Sequence, residues 1–337
     1  MRIVVDAMGT DERPAPDVAG AVMAARKWGD TIILVGDKEL IQTQLSKHDS
    51  TNLPIEVVHA SQDILMSDKV PDAKAKSESS MHVGMQLMVD GKADAFVSAG
   101  NTTGLHFVAL LAVLKRMDGV MRPGLSALFP TMQGRCVAID IGANTDSKPE
   151  YLHQFAIMGS VYAQAALGIE NPKVGLLSNG EEDNKGDELV RSTFKLLSED
   201  DTLNFVGNIE PKPMLYGEVD VIVQDGFVGN LVMKGMEATA SLMGRLLRKE
   251  ITAGTLTSLG GALARPALKR VSDFLDPYSM GGAPLLGVNG PVISAHGSSP
   301  DYAIMNAVER AREMIEGDVI NKIKTRLATG EGEKIEA

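Results

Sequence analysis

Along the chain, short runs of β-branched and other apolar residues alternate with longer stretches in which apolar positions recur every three or four residues. That alternation is the signature of βαβ units built around a mostly parallel sheet. Strands are predicted at residues 3–6, 31–35, 55–58, 95–98, 136–140, 174–177, 219–224 and 292–294. Most of these runs are apolar throughout, as strands covered on both faces are. Helices are predicted at 17–28, 79–90, 102–114, 149–167, 184–197, 230–249 and 300–316. Met81, Met85 and Met88 recur at helical spacing and read as core rather than as an acyl groove. No Pro/Ser-rich linker or fixed-period repeat divides the chain. It therefore reads as one three-layer α/β/α domain, residues 1–329, with a helical insertion at about 251–290 and a polar tail, 330–337, expected to fray.

Composition narrows function more than fold. The 337 residues carry 44 acidic and 33 basic side chains, for a formal charge of −11 and a pI near 5.1. Phosphate backbones are held by clustered Lys and Arg, so general nucleic-acid binding is excluded and any acidic partner must meet a local basic patch. Residues 245–275 reverse the sign: Arg245, Arg248, Lys249, Arg265, Lys269 and Arg270 face only Glu250 and Asp273, among Leu256, Leu259, Leu263, Leu268, Val271, Phe274 and Leu275. Such a segment suits an anionic bilayer surface, or a subunit contact with a solvated basic face. Pro266 is expected to break it into two short helices. A Gly-rich, apolar insertion in an otherwise closed domain also suggests a homodimer. The single cysteine, Cys136, excludes a disulfide framework and a Cys-rich zinc site, and fits a reducing, cytoplasmic compartment. The N-terminus turns acidic at Asp6 before a signal core forms, and no apolar run is long enough to span a bilayer, so the chain is expected not to cross a membrane.

Candidate chemistry sits at the carboxyl ends of the predicted strands, where open α/β sheets bind ligands. Three of these turns are Asp6-Ala7-Met8-Gly9, Ser98-Ala99-Gly100-Asn101-Thr102 and His296-Gly297-Ser298-Ser299. Three more are Asp140-Ile141-Gly142-Ala143-Asn144, Ser178-Asn179-Gly180-Glu181-Glu182 and Asp225-Gly226-Phe227-Val228-Gly229-Asn230. Glycine lets backbone approach a ligand, and a helix N-terminus offers free N–H groups to an anion. All six turns are expected to converge on one sheet edge. No phosphate-binding Gly-x-x-x-x-Gly-Lys-Ser/Thr loop and no Gly-x-Gly-x-x-Gly follows a strand, and no metal-ligand spacing occurs, so neither cofactor nor metal is expected. The absence of a Gly-x-Ser-x-Gly elbow, with Cys136 in a buried strand, argues against a covalent acyl-enzyme.

Three residues stand out. Lys185, read as lying in or just before the first turn of a helix, is either a solvated lysine balanced by Glu181, Glu182 and Asp183 or a cation for a phosphate or developing oxyanion. Asn230 is read as a helix N-cap or as a side-chain donor to substrate. His296 precedes Ser299-Pro300, a good helix start, which gives the serines a structural role but leaves the histidine unexplained.

These residues resemble, over nearly the whole chain, the PlsX family of phosphate acyltransferases. The likeness rests on Val5-Asp6-Ala7-Met8-Gly9, Val97-Ser98-Ala99-Gly100-Asn101-Thr102, Asp140-Ile141-Gly142-Ala143-Asn144, Lys148-Pro149-Glu150, Gly180-Glu181-Glu182 and Lys185-Gly186. It continues through Asn204-Phe205-Val206-Gly207-Asn208, Asp225-Gly226-Phe227-Val228-Gly229-Asn230, Gly281-Gly282-Ala283-Pro284-Leu285-Leu286-Gly287 and His296-Gly297-Ser298-Ser299. The resemblance implies a fold similar to isopropylmalate dehydrogenase and phosphotransacetylase. It also implies a homodimer at the membrane periphery, and conversion of acyl-carrier-protein thioester and inorganic phosphate into acyl phosphate for phospholipid synthesis. Because phosphate is itself the nucleophile, the enzyme has to align two anionic reactants and stabilise an oxyanion. On that basis Lys185, Asn230 and His296 are the catalytic candidates, Lys185 for charge, Asn230 for the thioester oxygen and His296 for phosphate or the leaving thiolate. Asp6, Gly9, Gly100, Asn101, Thr102, Gly142, Asn144, Gly229 and Ser298 are the substrate-binding candidates, with phosphate among the N–H groups at 100–102 and 142–144. The basic segment then has a further reading, as a dock for the acidic carrier. The chain departs from the family's usual pattern at Thr10, Thr103 and Asp187. Two other classes stay open, a metal- and NAD-dependent dehydrogenase on the same fold and an inactive membrane-associated adaptor.

Overall fold

The β-branched runs form an eleven-stranded sheet in the computed structural model, which describes residues 1–332. The strands are β1 (Arg2–Asp6), β2 (Thr31–Gly36), β3 (Ile55–His59), β4 (Ala95–Ser98), β5 (Gly124–Thr131) and β6 (Gly134–Ile139). They continue as β7 (Lys173–Leu177), β8 (Asn204–Ile209), β9 (Val221–Val223), β10 (Ala283–Leu286) and β11 (Val292–Ser294). Their order across the sheet is β3-β2-β1-β4-β11-β10-β5-β6-β9-β7-β8.

Successive strand residues point to opposite faces, and the core divides accordingly. Ile3, Val5, Ile32 and Leu34 join one apolar cluster, while Val4, Ile33 and Val35 join the other. Helices cover both faces, giving three layers. They are α1 (Ala15–Trp28), α2 (Lys38–Leu45), α3 (Val70–Ala75), α4 (Ser80–Val89), α5 (Thr102–Phe107) and α6 (Pro149–Leu167). The remainder are α7 (Glu188–Ser198), α8 (Pro211–Tyr216), α9 (Gly226–Ile251), α10 (Thr255–Phe274), α11 (Asp301–Glu316) and α12 (Val319–Gly332). A π-helical turn, Val108–Ala112, continues α5, and a 3₁₀ turn, Pro277–Met280, follows α10. The first cluster takes in Val18 of α1, Phe155 and Tyr162 of α6 and Ile304 of α11; the second takes in Met81 and Met85 of α4 and Leu105 of α5.

Strand direction changes halfway across the sheet. β1, β2, β3, β4 and β11 are mutually parallel. β10 is antiparallel to β11 and to β5, and β5 is antiparallel to β6. β6, β9, β7 and β8 are again parallel to one another, but three reversals have turned them against the first block. The expectation that six turns converge on one edge is therefore corrected. The turns after β1, β4 and β11 leave one edge of the ladder, and those after β6, β7 and β9 leave the other.

The expected insertion at 251–290 also differs. Residues Ala283–Leu286 are the central strand β10, and Pro266 lies inside the single helix α10 rather than ending it. Strong helix formers on both sides, Leu263-Ala264-Arg265 and Ala267-Leu268-Lys269-Arg270, carry α10 past the lost N–H donor. Of the expected polar tail, Gly330 to Gly332 belong to α12, while 333–337 lie outside the described residues.

Candidate active site

The first set of turns is bonded into a single unit. Asp6, 1% exposed at the end of β1, accepts from Met8 N–H at 3.0 Å and from Ser98 Oγ at 2.7 Å. Gly100 N–H donates to Ser98 Oγ at 3.0 Å. Burial pushes the Asp6 carboxyl above its ordinary range, against the hydrogen bonds that lower it. A Cβ on Gly9 would lie 2.8 Å from Ala99 N and 2.9 Å from Gly100 N, so the β1 and β4 turns pack backbone to backbone, while one on Gly100 would lie 2.7 Å from Met81 Cε. Asn101 caps α5 by accepting from Gly104 N–H, and its amide donates to the carbonyls of Leu65, Met66 and Asp68. Asp11 N–H donates to Gly297 O at 2.8 Å, joining the β11 turn to the β1 turn. There His296 Nδ1 pairs with Ser298 Oγ at 2.7 Å, which also meets Tyr278 OH at 2.8 Å. Thr102, His296 and Ser298 are exposed. Helix α11 begins at Asp301 with no side-chain cap, not at Ser299-Pro300.

The second set is built around Asp140. Its carboxylate accepts from the N–H groups of Leu125, Gly142, Ala143 and Asn144 and from Asn144 Nδ2, at 2.7–3.1 Å. The N–H nest expected to hold phosphate at 142–144 is thus filled by a carboxylate of the chain itself. Burial raises the Asp140 carboxyl while these donors pull it down. Asn144 Nδ2 donates also to Pro123 O at 2.7 Å, so this amide is committed internally. Helix α9 docks directly on the turn: Gly226 N–H donates to Asn144 O at 2.7 Å, and a Cβ on Gly229 would overlap Asp140 O at 2.0 Å.

The N-cap of α9 is Asp225, whose Oδ1 accepts from Phe227 and Val228 N–H, so the N-cap reading of Asn230 is corrected. Asn230 lies inside the helix, exposed, with its Cβ and Cγ 3.9 Å from where a Gly142 Cβ would stand. Lys185 precedes α7 on an exposed loop, so the helix-dipole argument does not apply to it. Its N–H donates to Glu182 O at 3.0 Å, and its side chain crosses Gly180, where a Cβ would meet Lys185 Cγ at 2.9 Å. Asp187 spends its carboxylate capping α7 at Val190 N–H. Lys185, on the loop after β7, and Asn230, in the helix after β9, thus follow adjacent parallel strands at one edge.

Beside this second set lies an open groove of about 700 Å³ lined by Arg116, Arg122, Lys148, Glu150 and Tyr151. Sequence reasoning gave its cations no role. The available signal was the Lys148-Pro149-Glu150 motif, together with two arginines six residues apart before a Pro-Gly pair.

The architecture is that of phosphotransacetylases: the EutD phosphotransacetylase from Staphylococcus aureus superposes with a TM-score of 0.63 at 19% identity, covering 94% of each chain. The sequence carries the assignment further. The family described as fatty acid synthesis protein matches residues 1–322. A Phosphate acyltransferase of Geobacter sulfurreducens is 44% identical over 330 residues, covering 98% of this chain and 95% of that one. Another, from Geobacter sp. strain M21, is 46% identical over 314 residues, covering 93% and 89%. The chain belongs to this family and is an acyltransferase.

Proposed function

We propose that the protein transfers a fatty acyl group from acyl-carrier protein to inorganic phosphate, yielding acyl phosphate for phospholipid synthesis. The observation that carries this reading is an exposed ammonium, Lys185, and an exposed amide, Asn230, following adjacent parallel strands at one edge of the sheet. A phosphate oxygen attacks the thioester carbonyl carbon, the C–O bond forms, and charge collects on the carbonyl oxygen. Asn230 Nδ2 donates to that oxyanion while Lys185 offsets the charge brought by phosphate. The C–S bond then breaks, and the thiolate leaves and takes up a proton. His296, whose Nδ1 meets Ser298 Oγ, lies on the first set of turns at the opposite edge of the sheet, so it takes no part in this step.

The same reading includes a homodimer and peripheral membrane contact through the α9–α10 hairpin. Among the described residues α10 buries none of its side chains, and Leu256 and Leu263 are 82% and 80% exposed. Apolar surface of that extent favours a cover, from a second copy or a bilayer interface. Among the described residues no helix is long and apolar enough to cross a membrane. The deciding experiment incubates purified protein with long-chain acyl-carrier protein and phosphate. Acyl phosphate and free carrier thiol in equal amounts are expected. Nicotinamide reduction with a hydroxy acid would favour a dehydrogenase, and absence of phosphate-dependent turnover an adaptor. A monomer mass by light scattering would remove the dimer.

A further inference from the structure

A chain of charge −11 repels anionic substrates unless cations are gathered where those substrates bind. Several backbone donors of the glycine-rich turns are already committed to side chains of the protein itself. At 142–144 the N–H groups go to Asp140, at 227–228 to Asp225, and at Gly100 to Ser98. The groove beside the second set is different. Arg116, Arg122 and Lys148 line it against a single carboxylate, Glu150. Arg116 Nη1 donates to Met121 O at 2.7 Å, which fixes the guanidinium and leaves its other donors. Arg122 lies 5.9 Å from the centre of the Tyr151 ring, which orients it, and among the described residues neither Arg122 nor Lys148 has an acidic partner. Lys148 also opens α6, whose first turn carries no side-chain cap. The groove is coupled to the reacting turn: Asn144 Nδ2 holds Pro123 O, next to Arg122, and Asn144 O receives Gly226 N–H at the start of the helix that carries Asn230.

We infer that this groove is a phosphate-anion site in which Arg116, Arg122 and Lys148 hold a phosphoryl group of a substrate. Planar guanidinium and point-charge ammonium together suit a tetrahedral oxyanion. The assignment rests on acyl transfer to phosphate as the reaction. That chemistry offers two sources for the group: inorganic phosphate itself, and the phosphodiester that tethers the thiol arm of an acyl-carrier protein.

Equilibrium dialysis of inorganic phosphate, and separately of pantetheine phosphate, against the full chain measures the site directly. Saturable binding of at least one probe is expected, weakened about tenfold or more in Arg122→Gln and in Lys148→Gln, the scale of one charge-assisted bond. Lys47→Gln, remote and exposed, is expected to change nothing and controls for net charge. In steady-state assays a raised KM for phosphate at unchanged donor KM assigns the groove to inorganic phosphate; the converse assigns it to the donor's arm. Absence of saturable binding by the wild type, or unchanged binding and both KM values unchanged in the folded variants, overturns the inference. If the wild type transfers no acyl group to phosphate, the proposed reaction falls. Dialysis then still decides whether the groove takes a phosphoryl anion.

Discussion

The two sets of turns use the same residue types and reach opposite ends. In the first, Asp6, Ser98 and Asn101 are buried and bonded to one another or to neighbouring backbone, and the polar groups on its surface are Thr102, His296 and Ser298. In the second, Asp140 does the same internal work, but Lys185 and Asn230 are exposed, and Arg122 and Lys148 line a groove next to the Asp140 turn. A buried aspartate at the end of a strand supplies the anion that a glycine-rich turn would otherwise take from solvent. Such a turn is rigid before substrate arrives, and the chemistry passes to side chains mounted on it.

Removing that internal anion should produce the largest change. Asp140→Ala leaves five donors without their acceptor and is expected to cost about 3–5 kcal/mol of stability in urea unfolding, with turnover lost as α9 loosens. Asp6→Ala, which strands Met8 N–H and the Ser98 hydroxyl, is expected to cost about 1–3 kcal/mol. Equal losses would break the distinction between the two sets.

Lys185→Ala and Asn230→Ala are expected to leave unfolding unchanged and to lower turnover by roughly 10²–10³, the scale of one oxyanion donor. Both side chains are exposed, so a folded variant is obtainable in either case. Near-normal phosphate-dependent rates would move the reacting centre away from the β7 and β9 turns.

How much of this was legible depended on which forces are local. Strands buried on both faces, such as β1, β2 and β4, announce themselves by composition. β5, β8 and β10 did not: Gly124–Thr131 contains Pro130, Asn204–Ile209 is half polar at the sheet margin, and Ala283–Leu286 contains Pro284. Pro284 sits in the sheet interior, where Ser126 Oγ donates to its carbonyl. Those missed strands include the two, β5 and β10, that reverse direction, and direction leaves no periodic trace in sequence. Hence the turns were legible one by one while their division between two edges was not. Capping was legible in type but not in register: Asp225 lies five residues before Asn230, and both are good cap residues. The groove cations come from three separated positions that meet only in the fold.

Asp17 separates the sets by pH. It lies buried under the β1 turn, accepts from Thr10 Oγ1 at 2.5 Å, and is pushed by burial to about 7 from 3.8. Because the folded carboxyl keeps its proton where the unfolded one has lost it, stability falls as pH rises from about 4 to about 7 and levels off above. Asp17→Asn should flatten that slope in urea unfolding at a series of pH values. Thr10→Gly removes a bond that lowers the carboxyl and should move the window upward. An unchanged slope in Asp17→Asn would place the titration elsewhere.

The smallest effect on the reacting edge is expected from the part of the chain most exposed to solvent. Leu259 and Leu263 lie on α10, which touches α9 but buries nothing, far along the chain from Lys185. Replacing both by glutamate puts two anions among Arg265, Lys269 and Arg270 and removes apolar area that would enter a bilayer interface. Wild-type protein is expected to pellet with anionic vesicles, less so at high salt because surface charge is screened. Leu259→Glu with Leu263→Glu should stay in the supernatant while retaining turnover on soluble acyl-carrier protein. Loss of turnover with pelleting retained would give the hairpin to the carrier. Loss of both, with a change in mass by light scattering, would make it the subunit contact on which the reacting edge depends.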